Sequence, residues 1–470
     1  MGVAIIPPLT RPRATVAVVL GVLLTIVLRL AVVSSWYAPA GDGHQYYHLS
    51  QELLTQGRYA YGPTPQPLAW SRLPGYPFFL ALIAVRKAPL PLDSHLVRAS
   101  QANALIDVGT ALLVVLVLRR RRARLMTQAL AYVLVAICPP LVFLSCYGLT
   151  ESLATFLFVL QIELGLRIGA DDRPLRWACL AGVVAGLGQL VRVDALTAAP
   201  AVLVAIYCLK GTWRARLSLL GAYGLAALLT FSPWPLRNLV RFGALHWEGT
   251  EWLAQNGDPL PNGIMKWMRT WSGGEPGTSY LLLRVANNAT IDPLNPNLIT
   301  PRMYDSPEER ARLTAIITRY NSEKLSPTVD RELTELATFR EHAHPIRQNL
   351  VLPAKRLWAL WTPIPEYELP VRSQLLHLPA SRHLYDDFLL LLFAAAIPGA
   401  LWLAYRDGAL AIALILPIVF RSILHARFAH PCPTQRYVAE LMPLVMILAA
   451  EFISNGWTWI ADRARGASSA

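Results

Sequence analysis

Leu96–Leu118 is a predominantly apolar run that ends in Arg119, Arg120, Arg121, Arg122 and Arg124. About 20 mostly apolar residues suffice for a helix to cross a bilayer, and a cluster of arginines marks the end that stays in the cytoplasm. Comparable runs are Thr15–Ser35, Leu125–Leu144, Ser152–Leu166, Trp177–Val191, Ala195–Leu209, Leu217–Pro233, Asp387–Ala404, Ala409–Ile423 and Tyr437–Ile453. The expectation is an all-α polytopic membrane protein with about ten transmembrane helices. With Arg11 and Arg13 behind the first run and Arg463 and Arg465 behind the last, both termini are expected in the cytoplasm. The first run has no small-residue cleavage site before Trp36, so it reads as a retained span.

The arginine cluster also settles a shorter apolar stretch. Because Leu96–Leu118 must run inward, Gly75–Val85 both starts and ends outside, and it is expected to lie on the membrane surface. His44–Gln56 places Tyr46, Leu49 and Leu53 at helical spacing among polar residues, which suits a second surface helix. Between Arg237 and about His383 the chain is too polar to span. Its tryptophans (Trp247, Trp252, Trp267, Trp271) argue for a folded lid with helices at Pro307–Lys324 and Val329–Leu350. The expected organisation is therefore a transmembrane module (1–237) with a first outer loop (36–95), a large extracytoplasmic loop (238–383) and C-terminal transmembrane helices (384–470).

Composition matters where it excludes alternatives. The formal net charge is +13, a value compatible with nucleic-acid binding. The charge sits in short loops between apolar runs, however, in a chain that is 54% hydrophobic with mean hydropathy +0.38. It reads as membrane orientation, and no nucleic-acid partner is expected. The cysteines (Cys138, Cys146, Cys179, Cys208, Cys432) lack metal-ligand spacing and mostly fall in or beside apolar runs, as buried small hydrophobes do. A Cys146–Cys432 disulfide is a further option. The histidines do not form a ligand pattern either, so no metal and no cofactor are expected.

The polar motifs gather on the expected outer side. Asp42-Gly43-His44-Gln45-Tyr46-Tyr47 follows the first span, and Ser71-Arg72-Leu73-Pro74-Gly75-Tyr76-Pro77 comes about thirty residues later. Leu149-Thr150-Glu151 opens the fourth run and Arg192-Val193-Asp194 closes the fifth. Pro233-Trp234-Pro235-Leu236-Arg237-Asn238 starts the large loop, and Gln435-Arg436-Tyr437 precedes the last span. Each has a plain structural explanation. Asp42 and Gln45 fit a helix capping box, Thr150 and Glu151 fit a helix start, Arg192 fits a local pair with Asp194, and the other arginines fit snorkelling at a span boundary.

Taken in order, these motifs resemble the GT-C glycosyltransferases, in the branch that holds protein O-mannosyltransferases and the lipid A aminoarabinose transferase. The resemblance implies that Asp42 is the catalytic residue and that the sugar arrives on a polyprenyl phosphate. It further implies that Arg72 stands where the aminoarabinose transferases place a lysine, and that Glu151 corresponds to an acid in the second outer loop. Relatives often carry Asp-Glu where this chain has Asp42-Gly43, which leaves one carboxylate in the motif.

One carboxylate suits the chemistry so implied. A phosphate leaving group, with a second pKa near 6, needs little general-acid help. The reaction needs a base at the acceptor hydroxyl and cations where negative charge collects. Asp42 is the expected base of an inverting displacement, with Glu151 beside it. Arg72, Arg192, Arg237 and Arg436 are the expected phosphate ligands, and His44, Tyr46, Tyr47, Tyr76, Asn238 and Tyr437 the expected pocket lining. The acceptor is a hydroxyl of a lipid, glycan or protein, reached on the extracytoplasmic face of a cell membrane, with a bacterial inner membrane implied. Two rival readings are a transporter or flippase of lipid-linked sugar and a catalytically inactive relative. Against transport, the spans look nearly free of charge away from their ends, with Asp107 and Glu163 the main exceptions.

Overall fold

The apolar runs lie in helices in the computed structural model. It describes residues 11–36, 41–60, 72–84, 91–209, 211–243, 245, 247, 263–274, 299–323, 326–362, 379–428 and 435–467. The first half of the chain forms α1 (Arg11–Trp36), α2 (Gly41–Gln56), α3 (Gly75–Ala84), α4 (Leu92–Arg120), α5 (Leu125–Ala136), α6 (Pro139–Ser145), α7 (Glu151–Ile168) and α8 (Pro174–Val191). A 3-10 turn at Val193–Ala198 leads into α9 (Ala199–Tyr207), followed by α10 (Trp213–Phe231) and α11 (Pro233–Phe242). No strand occurs among the described residues.

Among the described residues, five helices are long and apolar enough to cross a membrane, and seven spans result if each of two bent pairs counts as one. Of the remaining runs, α1 is 26 residues long with its apolar stretch at Val19–Ser34, Val193–Tyr207 is shorter, and α7 is more charged, with Glu151, Glu163 and Arg167 in 18 residues. The chain is a multi-pass membrane protein. Both bends fall at prolines. α5 and α6 meet at 45° before Pro139, and α10 and α11 at 42° at Pro233, because proline lacks the N–H that would continue the ladder and disfavours helical geometry in the residue before it. The second bend corrects one expectation: Pro233–Asn238 is not the start of a loop but part of a helix that continues to Phe242, where Gly243 ends it at a φ of 69°.

α8 and α10 show why small residues recur in these spans. A Cβ on Gly182 would lie 2.2 Å from the Tyr223 carbonyl oxygen, and one on Gly186 would lie 2.7 Å from that of Ala227. Two glycines four apart let the backbones touch, the usual device where no hydrophobic force separates helix from lipid. Helices form at both stretches of the first outer loop read as helical, α2 and α3. α3 has 10 residues, so it is only about 15 Å long and cannot span.

The polar segment also folds. α12 (Gly263–Arg269), α13 (Pro307–Glu323) and α14 (Pro327–Ala343) enclose Ile264, Trp267, Met268, Trp271, Leu313, Ile316, Tyr320, Val329 and Leu333. The stretch read as one helix from Val329 is in fact broken: α14 stops at Ala343, His344 leaves helical geometry (φ −133°, ψ 60°), and Pro345 follows. A π-turn at Arg347–Val351 then opens α15 (Leu352–Trp361). The last elements are α16 (Pro379–Arg406), α17 (Gly408–Arg427), a 3-10 turn (Gln435–Leu441) and α18 (Met442–Ala467). Arg356 of α15, wholly buried, donates to the carbonyls of Ser272 (3.0 Å), Ala426 (3.3 Å) and Arg269, and Trp361 Nε1 donates to Ser422 Oγ (3.0 Å). These bonds fasten the polar unit to the end of α17.

At the opposite end of the bundle lie the basic turns. Glu163 accepts from Arg120 (3.1 Å) and Arg167 (2.7 Å), Asp407 accepts from Arg121 Nε (2.8 Å), and Glu451 pairs with Arg406 (2.8 Å). Deeper in, Arg29 pairs with Asp107 (3.0 Å) and also donates to the Ala136 carbonyl (3.0 Å). More charge therefore lies inside the apolar runs than their composition suggested, since Arg29, Arg421, Glu440 and Glu451 join Asp107 and Glu163. Each is ion-paired, as burial away from water requires. Cys138, Cys146, Cys179 and Cys208 are free thiols, and Cys432 lies outside the described residues.

Candidate active site

Asp42 stands in the first turn of α2, and close packing brings that turn to the helix bundle. A Cβ on Gly43 would lie 3.3 Å from the Gly148 carbonyl oxygen, three residues before Glu151. The Arg72–Gly75 turn is held the same way: a Cβ on Gly75 would lie 2.7 Å from the carbonyl oxygen of Leu190, two residues before Arg192. Two short glycine contacts thus bring both surface motifs against the ends of α7 and α8.

The charged side chains form a ladder. Arg72 Nη2 donates to Asp42 Oδ1 at 2.7 Å, and Arg436 Nη1 to Asp42 Oδ2 at 3.2 Å. Arg436 Nε bonds Glu151, and Arg192 Nη1 donates to the same Glu151 oxygen at 3.0 Å. Arg192 then pairs with Asp194 (3.2 Å) and Glu440 (3.0 Å), and Arg421 with the same two acids (2.7 and 2.8 Å). His425 Nε2 lies 3.2 Å from Asp194, and its ring stacks on Tyr437. Carboxylates and arginines alternate throughout, so every anion faces cations.

The ladder runs from water into the protein. Side-chain exposure is 32% at Asp42, 26% at Arg72 and 32% at Arg436, but 0% at Glu151 and Arg421 and 1% at Glu440. Chemistry on a solvent-delivered hydroxyl is open to the first three alone. Burial would raise the Asp42 pKa, but Arg72 and Arg436 outweigh it and hold the carboxyl below its ordinary value. Asp42 is thus ionised at neutral pH. Tyr46 is kept protonated, because burial pushes its hydroxyl up.

The capping explanations do not hold. Both Asp42 oxygens are given to arginines, and Gln45 Oε1 accepts from Arg72 Nε (2.8 Å). Thr150 makes no side-chain cap to α7, and its hydroxyl instead accepts from Arg192 (3.3 Å).

Of the residues singled out in the sequence, Asp42, Arg72, Glu151, Arg192 and Arg436 meet in this ladder. Tyr46 stacks under Arg72 (5.4 Å) and against Tyr76 (5.2 Å), whose hydroxyl accepts from Asn103 (3.2 Å). Tyr437 lies beneath Arg192 (5.8 Å) at the deep end. His44 is half-buried on the same first turn of α2. Tyr47 points elsewhere, packing its ring against His95 of α4 (5.3 Å), because α2 turns the position after Tyr46 away from the Asp42 face. Arg237 is not a rung of the ladder. It donates to the Tyr59 carbonyl (2.8 Å) and to buried Asn238 (2.8 Å) and lies over the rings of Trp234 and Tyr59. Its link to the site is indirect, since the Tyr59 hydroxyl donates to the Arg72 carbonyl (3.0 Å).

Glu440, Arg421 and His425 were missed, and Asp194 was taken only for a partner of Arg192. The available signal was charge inside an apolar run, which demands a partner. Among the described residues no three His, Cys, Asp or Glu side chains converge as a metal-ligand set. An arginine stands between neighbouring acids of the ladder, an arrangement unsuited to a divalent cation.

No family model and no curated protein matches the chain. Solved structures similar to it include the archaeal oligosaccharyltransferase AglB from Archaeoglobus fulgidus in complex with an inhibitory peptide and a dolichol-phosphate. The identity is 12% and the TM-score 0.47, with 96% of this chain and 52% of that chain covered. Another is ArnT from Cupriavidus metallidurans bound to undecaprenyl phosphate, at 14% identity and TM-score 0.41, covering 93% of this chain and 78% of that chain. The chain spans about half the length of the oligosaccharyltransferase.

Proposed function

We propose that this chain is an integral-membrane glycosyltransferase that moves a sugar from a polyprenyl-phosphate donor to a hydroxyl acceptor, with inversion, and that Asp42 is its general base. The observation that carries this reading is the exposed end of the ladder: one ionised carboxylate between two arginines, at the point where surface helices meet the bundle. Positive-inside counting assigns the basic turns to the cytoplasm and hence Asp42 to the extracytoplasmic side, with both termini inside. A bacterial inner membrane fits the composition.

In the proposed reaction Asp42 takes the proton of the acceptor hydroxyl as its oxygen attacks the anomeric carbon from the face opposite the phosphate. The bond from that carbon to the phosphate oxygen breaks, and its electron pair leaves with polyprenyl phosphate. Arg72 and Arg436 receive the growing charge, for which the planar guanidinium fork is well shaped. Glu151, buried and bonded to Arg436 and Arg192, holds the guanidinium in place. Acceptor choice falls to the polar unit fastened on α17.

The test is reconstitution in lipid nanodiscs with a panel of polyprenyl-phosphate sugars and envelope acceptors, read by mass spectrometry. The expected result is free polyprenyl phosphate appearing together with a glycosylated acceptor of inverted anomeric configuration. Donor carried across vesicle membranes without cleavage would make the protein a transporter instead.

A further inference from the structure

Both oxygens of Asp42 are occupied. Arg72 holds one and Arg436 the other, which leaves the carboxylate poorly placed to receive a proton. Each arginine also has a second anchor that does not depend on Asp42: Gln45 Oε1 holds Arg72 Nε at 2.8 Å, and buried Glu151 holds Arg436 Nε. If Asp42 swung away, both guanidinium groups would stay where they are, side by side and partly open to solvent. A pair of anchored guanidinium groups converging on two oxygens is also what a phosphate group requires. The ladder, moreover, interleaves Asp42, Glu151, Asp194 and Glu440 with Arg72, Arg436, Arg192 and Arg421. A phosphate arriving beside a seated Asp42 would put two anions on the same cations, and one arriving in its place would not.

We infer that Asp42 in the resting protein occupies the seat of the donor phosphate, and that donor binding displaces it and frees it to act as base. This rests on the function proposed above and adds an order to it. The lipid-linked sugar binds first, and the acceptor hydroxyl is deprotonated only afterwards. It also makes Asp42 a competitor of the group its own reaction uses.

The test measures binding rather than turnover. Undecaprenyl phosphate is titrated against the full chain in phosphatidylcholine nanodiscs, with inorganic phosphate and undecaprenol as separate arms. Wild type is compared with Asp42→Asn and Asp42→Glu, and melting temperatures report whether each variant is folded. Removing the competing anion should tighten undecaprenyl phosphate binding by Asp42→Asn about tenfold, while Asp42→Glu, which keeps an anion in the seat, should bind no more tightly than wild type. The same gain with inorganic phosphate would assign the seat to phosphate alone, and a gain confined to the lipid would assign it to the lipid-linked headgroup. Equal or weaker binding by folded Asp42→Asn overturns the displacement and leaves the proposed function standing. Binding of no phosphate probe by any of the three overturns both. Wild type gives a check that needs no folded variant. With aspartate labelled at its side-chain carboxyl carbon, infrared difference spectra on adding undecaprenyl phosphate should show a carboxylate band leaving its arginine-bonded position, and a flat spectrum would contradict the inference.

Discussion

The two ends of the helix bundle are both rich in arginine–carboxylate pairs, yet they are built differently. At the end with the basic turns, the acids have separate arginine partners: Glu163 takes Arg120 and Arg167, Asp407 takes Arg121, and Glu451 takes Arg406. These are staples between neighbouring helices. At the other end Arg436, Arg192 and Arg421 are each shared between acids, and the pairs join into one ladder that starts in solvent and ends in the core. A staple can be lost locally, whereas a rung that is lost unbalances its neighbours. Shared pairing holds a guanidinium at a fixed point, which is what stabilising a transferred phosphate demands.

The difference can be broken from either side. The largest effect is expected at Glu151, fully buried with Arg192 and Arg436 both on it. Glu151→Gln should destabilise the protein by about 3–5 kcal/mol, because it removes the buried anion that Arg192 and Arg436 share, and should abolish turnover. Thermal unfolding and donor cleavage, measured side by side, would show both losses. Next comes Arg72→Gln at the exposed end, which should leave the melting temperature near wild type while lowering kcat about 10²–10³-fold. An unchanged kcat would move phosphate stabilisation elsewhere. The staple should behave in the opposite way. Arg406→Gln leaves buried Glu451 with Asn455 as its remaining side-chain partner and should cost about 1–3 kcal/mol of stability, with the folded fraction as active as wild type.

A smaller effect, but one that separates the two architectures, is the pH profile. The groups facing Asp42 are Arg72, Arg436 and Tyr46, and the arginines hold its pKa below the ordinary value. A depressed carboxylate stabilises the fold above its unfolded pKa and loses that contribution as pH falls through the folded one. The acid limb of kcat/KM should therefore lie below the usual aspartate range, and in Arg72→Gln it should move to higher pH. If donor phosphate displaces Asp42 from the arginines, the acid limb of kcat should also lie at higher pH than that of kcat/KM. Coincident limbs in wild type would argue that Asp42 keeps its partners throughout.

Much of this arrangement was legible in the sequence, for a physical reason. Asp42, Arg72, Glu151, Arg192 and Arg436 all lie just beyond the ends of apolar runs, where a charge stands out and the alternation of inside and outside assigns them to one face. Glu440, Arg421 and His425 lie in or next to such runs and were read with the spans around them. Their mutual pairing is a tertiary fact, since Arg421 and Glu440 come from different elements and meet Asp194 from a third. Arg237 shows the reverse. Its motif matched the pattern, but the bend at Pro233 carries it onto a helix where its guanidinium meets a carbonyl and aromatic rings. The break at Pro345 was visible in the chain and was overridden by the apolar spacing on either side.

A single-turnover comparison decides whether Asp42 is the base at the open end of the ladder. Wild type and Asp42→Asn would be loaded with the same lipid-linked sugar, shown to bind it, and quenched at intervals after an acceptor is added. Asp42→Asn should hold the donor at least as well as wild type but transfer its sugar about 10²–10⁴-fold more slowly. Transfer at the wild-type rate by the loaded variant would contradict it.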